Sequence, residues 1–234
     1  MSNEKIVAII QARLGSSRLP LKSLLCLGNM PIIDWLTHRV GKAAQVDETI
    51  VAIPDTPLDK ILLDHLKDRG IRYFSGSEND VLGRMCSAAR EAEATTVLRI
   101  CADNPLIDHE AIDLLIEHFR NNHPDYAYNH IPHGNLWPDG LGAEILARET
   151  LEQINQKAQK AEQREHCLNY IHDHSEDFNI HTFDPPQKEL RRPEIKLDLD
   201  CVEDYQRICA IKPHKDMKAA EIVTAWDRAF EKCK

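Results

Sequence analysis

Long apolar runs are missing from this sequence of 234 residues. No uninterrupted apolar stretch approaches the ~18 residues that a membrane-spanning helix requires, so we expect no transmembrane helix. Residues 1–5 lack the charged leader and apolar segment of a secretory signal peptide. We therefore expect a cytoplasmic protein with no membrane partner.

Positive charge is in the minority. The chain carries 29 Lys and Arg residues against 38 Asp and Glu residues, which gives a formal net charge of −9. Broad contact with nucleic acid requires a basic surface, so we expect no nucleic-acid partner. An acidic enzyme can still bind a phosphorylated ligand if its cations are concentrated in one pocket.

Closely spaced cysteine pairs are also absent. The cysteines are odd in number, and no two of them are spaced as CxxC. Because a zinc site needs Cys or His at short fixed spacings, we predict reduced thiols rather than disulfides or a zinc centre. The cysteines are Cys26, Cys86, Cys101, Cys167, Cys201, Cys209 and Cys233.

Neither common glycine-rich phosphate motif is present. The dinucleotide fingerprint GxGxxG is missing, and the Walker spacing fails after Gly15 because Pro20 and Leu21 stand where glycine and lysine are needed. Instead, the apolar run 6–10 predicts a buried strand that leads into a loop with two serines and three cations. Cations and free backbone amides at the carboxyl end of a parallel strand form a phosphate site. The three cations are Arg13, Arg18 and Lys22.

Strand and helix signals alternate in the first half of the chain. This alternation predicts an α/β fold with a mostly parallel sheet and helices on both faces. Ligands of such sheets bind at the carboxyl ends of the strands, where the cationic loop also lies. The predicted strands are 49–53, 71–74 and 97–101, and the predicted helices are 32–44, 58–69, 81–92 and 110–121.

After residue 123 the pattern changes. A loop over 129–142 is followed by predicted helices at 148–161 and 162–174, strands at 178–182 and 194–199, and a final pair of helices. We expect one domain over 1–234, in which 130–190 form an excursion from the sheet.

Carboxylates stand at two points where a metal ion can be held. Asp103 follows an apolar run, and a carboxylate just past a strand can bind Mg²⁺ together with substrate phosphates; a helix cap or turn is the alternative. Asp198 and Asp200 are two residues apart on a predicted strand, so both side chains face one side; a solvated strand face is the alternative. Asp108 is predicted to cap the next helix.

Several segments, in this order, resemble the sugar-activating cytidylyltransferases, most of all the branch named after spore coat polysaccharide biosynthesis protein F. The chain has Leu21, Ala102 and Gly142 where that family commonly has Gly, Gly and Asp. The similar segments are 10–22 (family pattern QAR…SxRLPxK), 76–84 (GSExDVLxR), 99–108 (RITGDxPLID), 137–144 (PDGLDVE), 164–166 (REH) and 200–205 (DTPEDY).

The resemblance implies a three-layer, Rossmann-like nucleotidyltransferase fold. It also implies that CTP and Mg²⁺ are used to convert a sugar acid, or a related sugar or polyol derivative, into a CMP-linked donor for surface glycan synthesis, with release of pyrophosphate. The excursion would cover the acceptor and build a homodimer.

The resemblance assigns roles to individual residues. For Ser77 the alternative is a helix cap with Asp80 as its capping-box partner, and for Arg164 it is a structural ion pair. The implied catalytic residues are Arg13, Lys22, Asp103 and Asp200, and the implied metal ligands are Asp103, Asp200 and Asp198. The implied nucleotide-binding residues are Gln11, Ala12, Arg13, Gly15, Ser16, Arg18, Lys22, Ser77 and Arg84. The implied acceptor-binding residues are Asn129, Glu144, Arg164 and His166.

Two other functions are compatible with these patterns. The segment Asp198-Leu199-Asp200 is formally a DxD motif, which is typical of glycosyltransferases that use a nucleotide-sugar, although it lies near the end of the chain. The departures at Leu21, Ala102 and Gly142 also leave a catalytically inactive nucleotide-binding protein as an alternative.

Overall fold

The structure is a computed structural model that describes residues 4–230. Cys233, which is predicted to be a reduced thiol, lies outside the described residues, and the other six cysteines are free. The strands are β1 (Ile6–Gln11), β2 (Cys26–Leu27), β3 (Met30–Pro31), β4 (Glu48–Pro54), β5 (Tyr73–Gly76), β6 (Thr96–Cys101), β7 (Tyr126–Tyr128), β8 (Glu144–Ala147) and β9 (Ile180–His181).

Helices alternate with the strands in the first half of the chain, as predicted. Within residues 4–230, no helix is both long enough and apolar enough to cross a membrane. The α-helices are α1 (Ile32–Val40), α2 (Lys60–Asp68), α3 (Val81–Glu91), α4 (His109–Asn122), α5 (Arg148–Lys157), α6 (Ala161–Glu165), α7 (Asn169–Asp173), α8 (Val202–Ala210) and α9 (Ala219–Phe230).

Seven strands form one sheet in the order β5-β4-β1-β6-β8-β7-β9. β1 pairs in parallel with β4 and β6, and β4 pairs in parallel with β5. β8 runs antiparallel to both of its neighbours, β6 and β7. The predicted α/β fold with a mostly parallel sheet is confirmed, and the carboxyl ends of β1, β4, β5 and β6 lie at the same end of the sheet.

Helices cover both faces of the sheet. Along β1, Ile6, Ala8 and Ile10 belong to one apolar cluster, whereas Val7 and Ile9 belong to another. Because neighbouring side chains of a strand point to opposite faces, β1 is buried on both sides. The first cluster includes side chains of α1, α2, α4 and α9, and the second includes side chains of α3 and α5. This arrangement has the three layers that were expected.

Part of the segment 130–190 belongs to the sheet, so its description as an excursion is wrong in that respect. β8 lies between β6 and β7, and β9 pairs with β7. Ile145 and Leu146, neighbours on β8, are both fully buried. A strand with apolar residues on both faces is stabilised inside a sheet rather than outside it.

Two predicted elements differ from the structure. The predicted helix 162–174 is divided into α6 and α7 by an irregular turn. The predicted strand 194–199 has no ladder partner, and its strand-like contact is a single bridge between Asp139 and Lys196. Backbone bonds tie this segment to loops instead, because the Leu197 amide donates to Asp139 and the Leu199 amide donates to Asp103.

The starts of two helices show which polar residue caps each of them. Asp108 caps α4, as predicted, and accepts a hydrogen bond from the Ala111 amide at 3.0 Å. α3 is capped by Asp80 and not by Ser77, because the Asp80 carboxylate accepts from the Gly83 amide at 2.8 Å. The Ser77 hydroxyl accepts from the Asp80 amide at 3.2 Å, which shapes the turn before the helix.

Candidate active site

A cavity of about 230 Å³ opens at the carboxyl ends of β1 and β6. It lies where ligands of parallel sheets usually bind. Its lining brings together charged and polar side chains from segments that are far apart in the sequence. The lining residues are Gln11, Arg13, Ser16, Ser17, Arg18, Lys22, Arg99, Cys101, Ala102, Asp103, His166 and Asp200.

The loop after β1 is held by backbone contacts that aim its cations at the cavity. The Leu21 amide donates to the Leu14 carbonyl at 3.1 Å, which closes the loop. The Leu14 amide donates to the buried Asp59 carboxylate at 2.7 Å, which fixes the loop to the start of α2. Leu21 has a φ angle of 60°, in the left-handed region that favours glycine. This turn leads directly into Lys22.

Lys22 connects the two predicted metal-binding carboxylates. Its Nζ lies 3.5 Å from an oxygen of Asp103 and 3.5 Å from an oxygen of Asp200. It also donates to the Leu199 carbonyl at 3.2 Å. Arg18 approaches the other oxygen of Asp200 at 3.0 Å. The fold therefore brings two predicted carboxylates, Asp103 and Asp200, into contact with two predicted cations, Lys22 and Arg18.

These carboxylates fit a hard divalent cation. Asp103 and Asp200 are about seven-tenths buried and offer oxygen atoms to the same position, as Mg²⁺ prefers. Within residues 4–230, no group of three or more His, Cys, Asp or Glu side chains is arranged to hold a metal by itself. Two protein carboxylates completed by phosphate oxygens are typical of magnesium in nucleotide-dependent enzymes.

Asp198 is not brought to the cavity, in contrast to the prediction. It pairs with Lys196 at 3.1 Å, and its Oδ1 is buried without a partner in the described part of the chain. Because 194–199 is not a strand of the sheet, the alternation that would place Asp198 beside Asp200 does not apply. Asp198 instead lies near Asp139. Burial, followed by the Asp198 charge, raises the pKa of Asp139 to about 6.

The cavity floor contains a buried polar network. Arg99 donates from Nε and Nη2 to Gln11 Oε1 at 3.3 Å and pairs through Nη1 with Glu144. Tyr126 donates to the other Glu144 oxygen at 2.6 Å. Burial alone would raise the pKa of Glu144, but Arg99 holds it below its usual range. Glu144 is 3% exposed, pairs with Arg99 and does not line the cavity, so the structure gives it a place in this buried network, and its contact with an acceptor stays a prediction.

Asn129, which is also predicted to bind the acceptor, has its side chain hydrogen-bonded inside the protein. It is fully buried, its side-chain amide donates to the Ala111 carbonyl at 2.9 Å, and its Oδ1 accepts from the Ala143 amide at 2.9 Å. A β-carbon at Gly142 would overlap Asn129. The aspartate that the family has at position 142 would therefore not fit here, and Asn129 occupies the space.

The remaining predicted residues lie in or beside the first cavity or line a second one. His166 and Ser16 line the cavity, whereas Ala12 is buried beside it with its amide bonded to the Ala52 carbonyl. Gly15 lies in the cationic loop itself. Ser77, Arg84 and Arg164 line a second cavity beside α3, and Arg164 pairs there with Asp80.

Sequence reasoning missed several residues of the site. Arg99 and Cys101 line the cavity, although the sequence places them only within the family segment 99–108 and gives them no role of their own. The charge of Arg99 inside an apolar strand was a usable signal, because a buried charge is costly unless it is paired. Ser17 also lines the cavity, and its place in the cationic loop gave no signal that separates it from Ser16.

A three-layer α/β sheet with a cationic loop and paired carboxylates at its strand ends has the architecture of a nucleotidyltransferase. The family model for cytidylyltransferases matches residues 7–231. The chain is 32% identical over 232 residues to the spore coat polysaccharide biosynthesis protein SpsF of Bacillus subtilis, a match that covers 95% of this chain and 94% of the relative. The chain therefore belongs to the cytidylyltransferase family.

Solved structures share the fold. A cytidylyltransferase from Leptospira borgpetersenii superposes with a TM-score of 0.87 at 25% identity, covering 97% of this chain and 95% of that one. The structure of a CMP:2-keto-3-deoxy-manno-octonic acid synthetase complexed with CTP superposes with a TM-score of 0.65 at 18% identity, covering 89% of this chain and 98% of that one. A Mycobacterium tuberculosis protein in complex with manganese has a TM-score of 0.62 at 14% identity over 88% and 98%.

Proposed function

We propose that this enzyme transfers a CMP group from CTP to a small acidic sugar and releases pyrophosphate. The observation that carries the proposal is the position of Lys22 between Asp103 and Asp200, in one cavity with Arg13 and Arg18. The synthetase of the same fold was solved in complex with CTP, which supports CTP as the nucleotide.

In the proposed reaction, the oxygen of an acceptor hydroxyl bonds to the α-phosphorus and its proton passes to water, while the bond from that phosphorus to the oxygen that bridges the α- and β-phosphates breaks. Pyrophosphate leaves with the electron pair. The reaction depends on alignment and on neutralising charge across the phosphates. Arg13, Arg18 and Lys22 would bind the triphosphate and screen its charge. Gln11, held by Arg99, offers its amide N–H groups at the floor of the cavity.

We propose Mg²⁺ as the metal, held by Asp103 and Asp200 together with phosphate oxygens. When bound, the ion would stabilise the charge that develops on the phosphoryl oxygens. A hydrogen bond helps to hold the Asp200 backbone in place, because the Asp204 carboxylate accepts from the Asp200 amide at 2.9 Å. Asp204 also accepts from the Cys201 amide at 3.0 Å, which fixes the turn before α8.

The acceptor and the pathway rest on the family. We propose a 3-deoxy sugar acid as the acceptor, surface glycan synthesis as the pathway, a cytoplasmic location and a homodimer. The position of Asp198 away from the cavity weakens the alternative of a glycosyltransferase, because a DxD motif needs both carboxylates at the metal.

The first test is thermal stability with Mg²⁺ and CTP, UTP, ATP, GTP or UDP-sugars. A ligand at ~100 times its dissociation constant adds ~2.7 kcal/mol of stability. A shift with CTP alone, followed by CTP-dependent release of pyrophosphate with a 3-deoxy sugar acid, is the expected result. A shift with UDP-sugars alone would favour the glycosyltransferase. Asp200→Ala with full activity and an unchanged Mg²⁺ requirement would refute the metal assignment.

A further inference from the structure

A second cavity, of about 270 Å³, lies beside α3. Its walls are the end of β5, one side of α3, and residues of α5 and α6. Its lining shares no residue with the lining of the candidate active site. Three arginines contribute to the walls: Arg84 and Arg90 from α3, and Arg164 from α6.

Arg84 is buried with one edge of its guanidinium unused. The residue is 3% exposed, and its Nη1 donates to the Ser77 carbonyl. Nε and Nη2, which form the side-on edge of the planar group, have no hydrogen-bond partner within residues 4–230. Burial lowers the pKa of Arg84, yet an arginine stays charged in proteins. This edge is complementary to two oxygens of an oxyanion.

No carboxylate forms an ion pair with Arg84 among the described residues, although Asp59 and Asp80 lie near enough for their charges to raise its pKa. Asp59 is engaged by the Leu14 amide and the Thr56 hydroxyl. Asp80, which lines the cavity, is engaged by Arg164 and by the Gly83 amide. Arg90 has its own partner, Glu152, at 3.1 Å. Because an unpaired buried charge is costly, the cavity favours an added negative charge.

Asn155 offers a hydrogen-bond acceptor to a ligand, whereas Arg84 offers donors. It lines the same cavity, and its Oδ1 is buried without a partner among the described residues. Its backbone carbonyl accepts from Arg164 Nη1 at 2.8 Å, which fixes Arg164 in the wall. An amide oxygen accepts a hydrogen bond, so the complementary ligand carries a hydroxyl as well as the oxyanion. Hydrogen phosphate and phosphomonoesters of small polyols have both groups.

We propose that this second cavity binds a phosphate group, at the same time as and independently of a nucleotide in the candidate active site. Arg84 binds two phosphate oxygens through its free edge, Arg90 and Arg164 supply further positive charge, and Asn155 accepts from a hydroxyl of the ligand.

The test is calorimetric titration of inorganic phosphate into protein saturated with CTP, at constant ionic strength. CTP occupies the first cavity, so phosphate binding then reports the second. One phosphate per chain is expected. A parallel titration with glycerol 3-phosphate distinguishes the sources, since tighter binding than inorganic phosphate identifies a phosphomonoester site and weaker binding identifies a site for the free ion.

Matched variants locate the site. Arg84→Gln should weaken phosphate binding by at least about tenfold, because a charge-assisted bidentate contact is lost. Arg90→Gln and Asn155→Leu should each weaken it by a smaller factor, which keeps the test decisive if Arg84→Gln does not fold. Arg148→Gln is the control: Arg148 pairs with the same Glu152, at 3.6 Å, but does not line the cavity.

Three results would overturn the proposal: no phosphate binding to the CTP-saturated protein, competition between phosphate and CTP for one site, or equal phosphate affinity in all the variants. A failure of the proposed function has a different signature. If CTP does not bind at all, the dependence of phosphate affinity on Arg84 and Arg90 still decides the second cavity.

Discussion

Replacing Lys22 with methionine should change metal and nucleotide binding in opposite directions. In the structure Lys22 acts as the counter-ion of both predicted metal ligands, Asp103 and Asp200. Methionine keeps an apolar stem of similar length and removes the charge. The two carboxylates then lose the cation that competes with a metal ion, while CTP loses a phosphate-binding group.

The magnitude follows from the two separations of 3.5 Å. Coulomb's law at this distance gives about 1 kcal/mol per pair in water and about 5 kcal/mol at an effective dielectric constant of ~20. Lys22 is 13% exposed and the carboxylates 29% and 28%, so an intermediate value applies. We expect Lys22→Met to tighten metal binding without nucleotide by about 1.4–2.8 kcal/mol, or about 10- to 100-fold.

Binding of Mn²⁺, followed by electron paramagnetic resonance of the free ion, measures this change without turnover. A separate titration with CTP should show that Lys22→Met binds CTP more weakly than the wild type. Lys196→Met is the matched control, because Lys196 also pairs with an aspartate, Asp198 at 3.1 Å, but away from the cavity. If Mn²⁺ affinity without CTP is unchanged or weaker in Lys22→Met, the counter-ion role is refuted.

Four further substitutions test charges, backbone strain and packing in and around the site. Glu144→Gln should lower the free energy of unfolding by about 3 kcal/mol in urea denaturation, because it leaves a buried guanidinium without its charge partner; a loss below 1 kcal/mol would contradict this. Leu21→Gly should leave the melting temperature unchanged or raise it, since relief of about 1–2 kcal/mol of left-handed strain is offset by the chain entropy of glycine; a clear drop would argue against strain. Gly142→Ala should cost about 3 kcal/mol or more in chemical denaturation, because its β-carbon overlaps Asn129, and wild-type stability would show that Asn129 moves aside. Asp139 has a folded pKa of about 6, above its ordinary value of 3.8, so its charge opposes folding as pH rises through that range. Asp139→Asn should therefore stabilise the protein by about 1–2 kcal/mol at pH 8, after allowance for partial exposure, and have no effect near pH 3.5; equal effects at both pH values would exclude this cause.

Features that depend on neighbours in the sequence could be predicted without the structure. The continuous apolar run of β1 indicated a strand buried on both faces, because side chains alternate between the faces of a strand. The three cations that follow it lie in one loop, so their common position required no long-range contact. Asp108 as a cap of α4 depends only on the residues that follow it.

Other features were decided only when distant segments met. Asp103 and Asp200 are predicted metal ligands from separate parts of the chain, and Lys22 joins them only in the folded protein. Asp198 illustrates the limit, since its spacing from Asp200 was informative only if the segment formed a strand. Asn129 and Glu144 are buried in the folded protein. Their sequence motifs do not show whether such a polar side chain contacts a ligand or forms hydrogen bonds inside the protein. Local periodicity and spacing thus determined the layers and the cationic loop, whereas tertiary packing determined which carboxylates reach that loop and which polar groups are buried behind it.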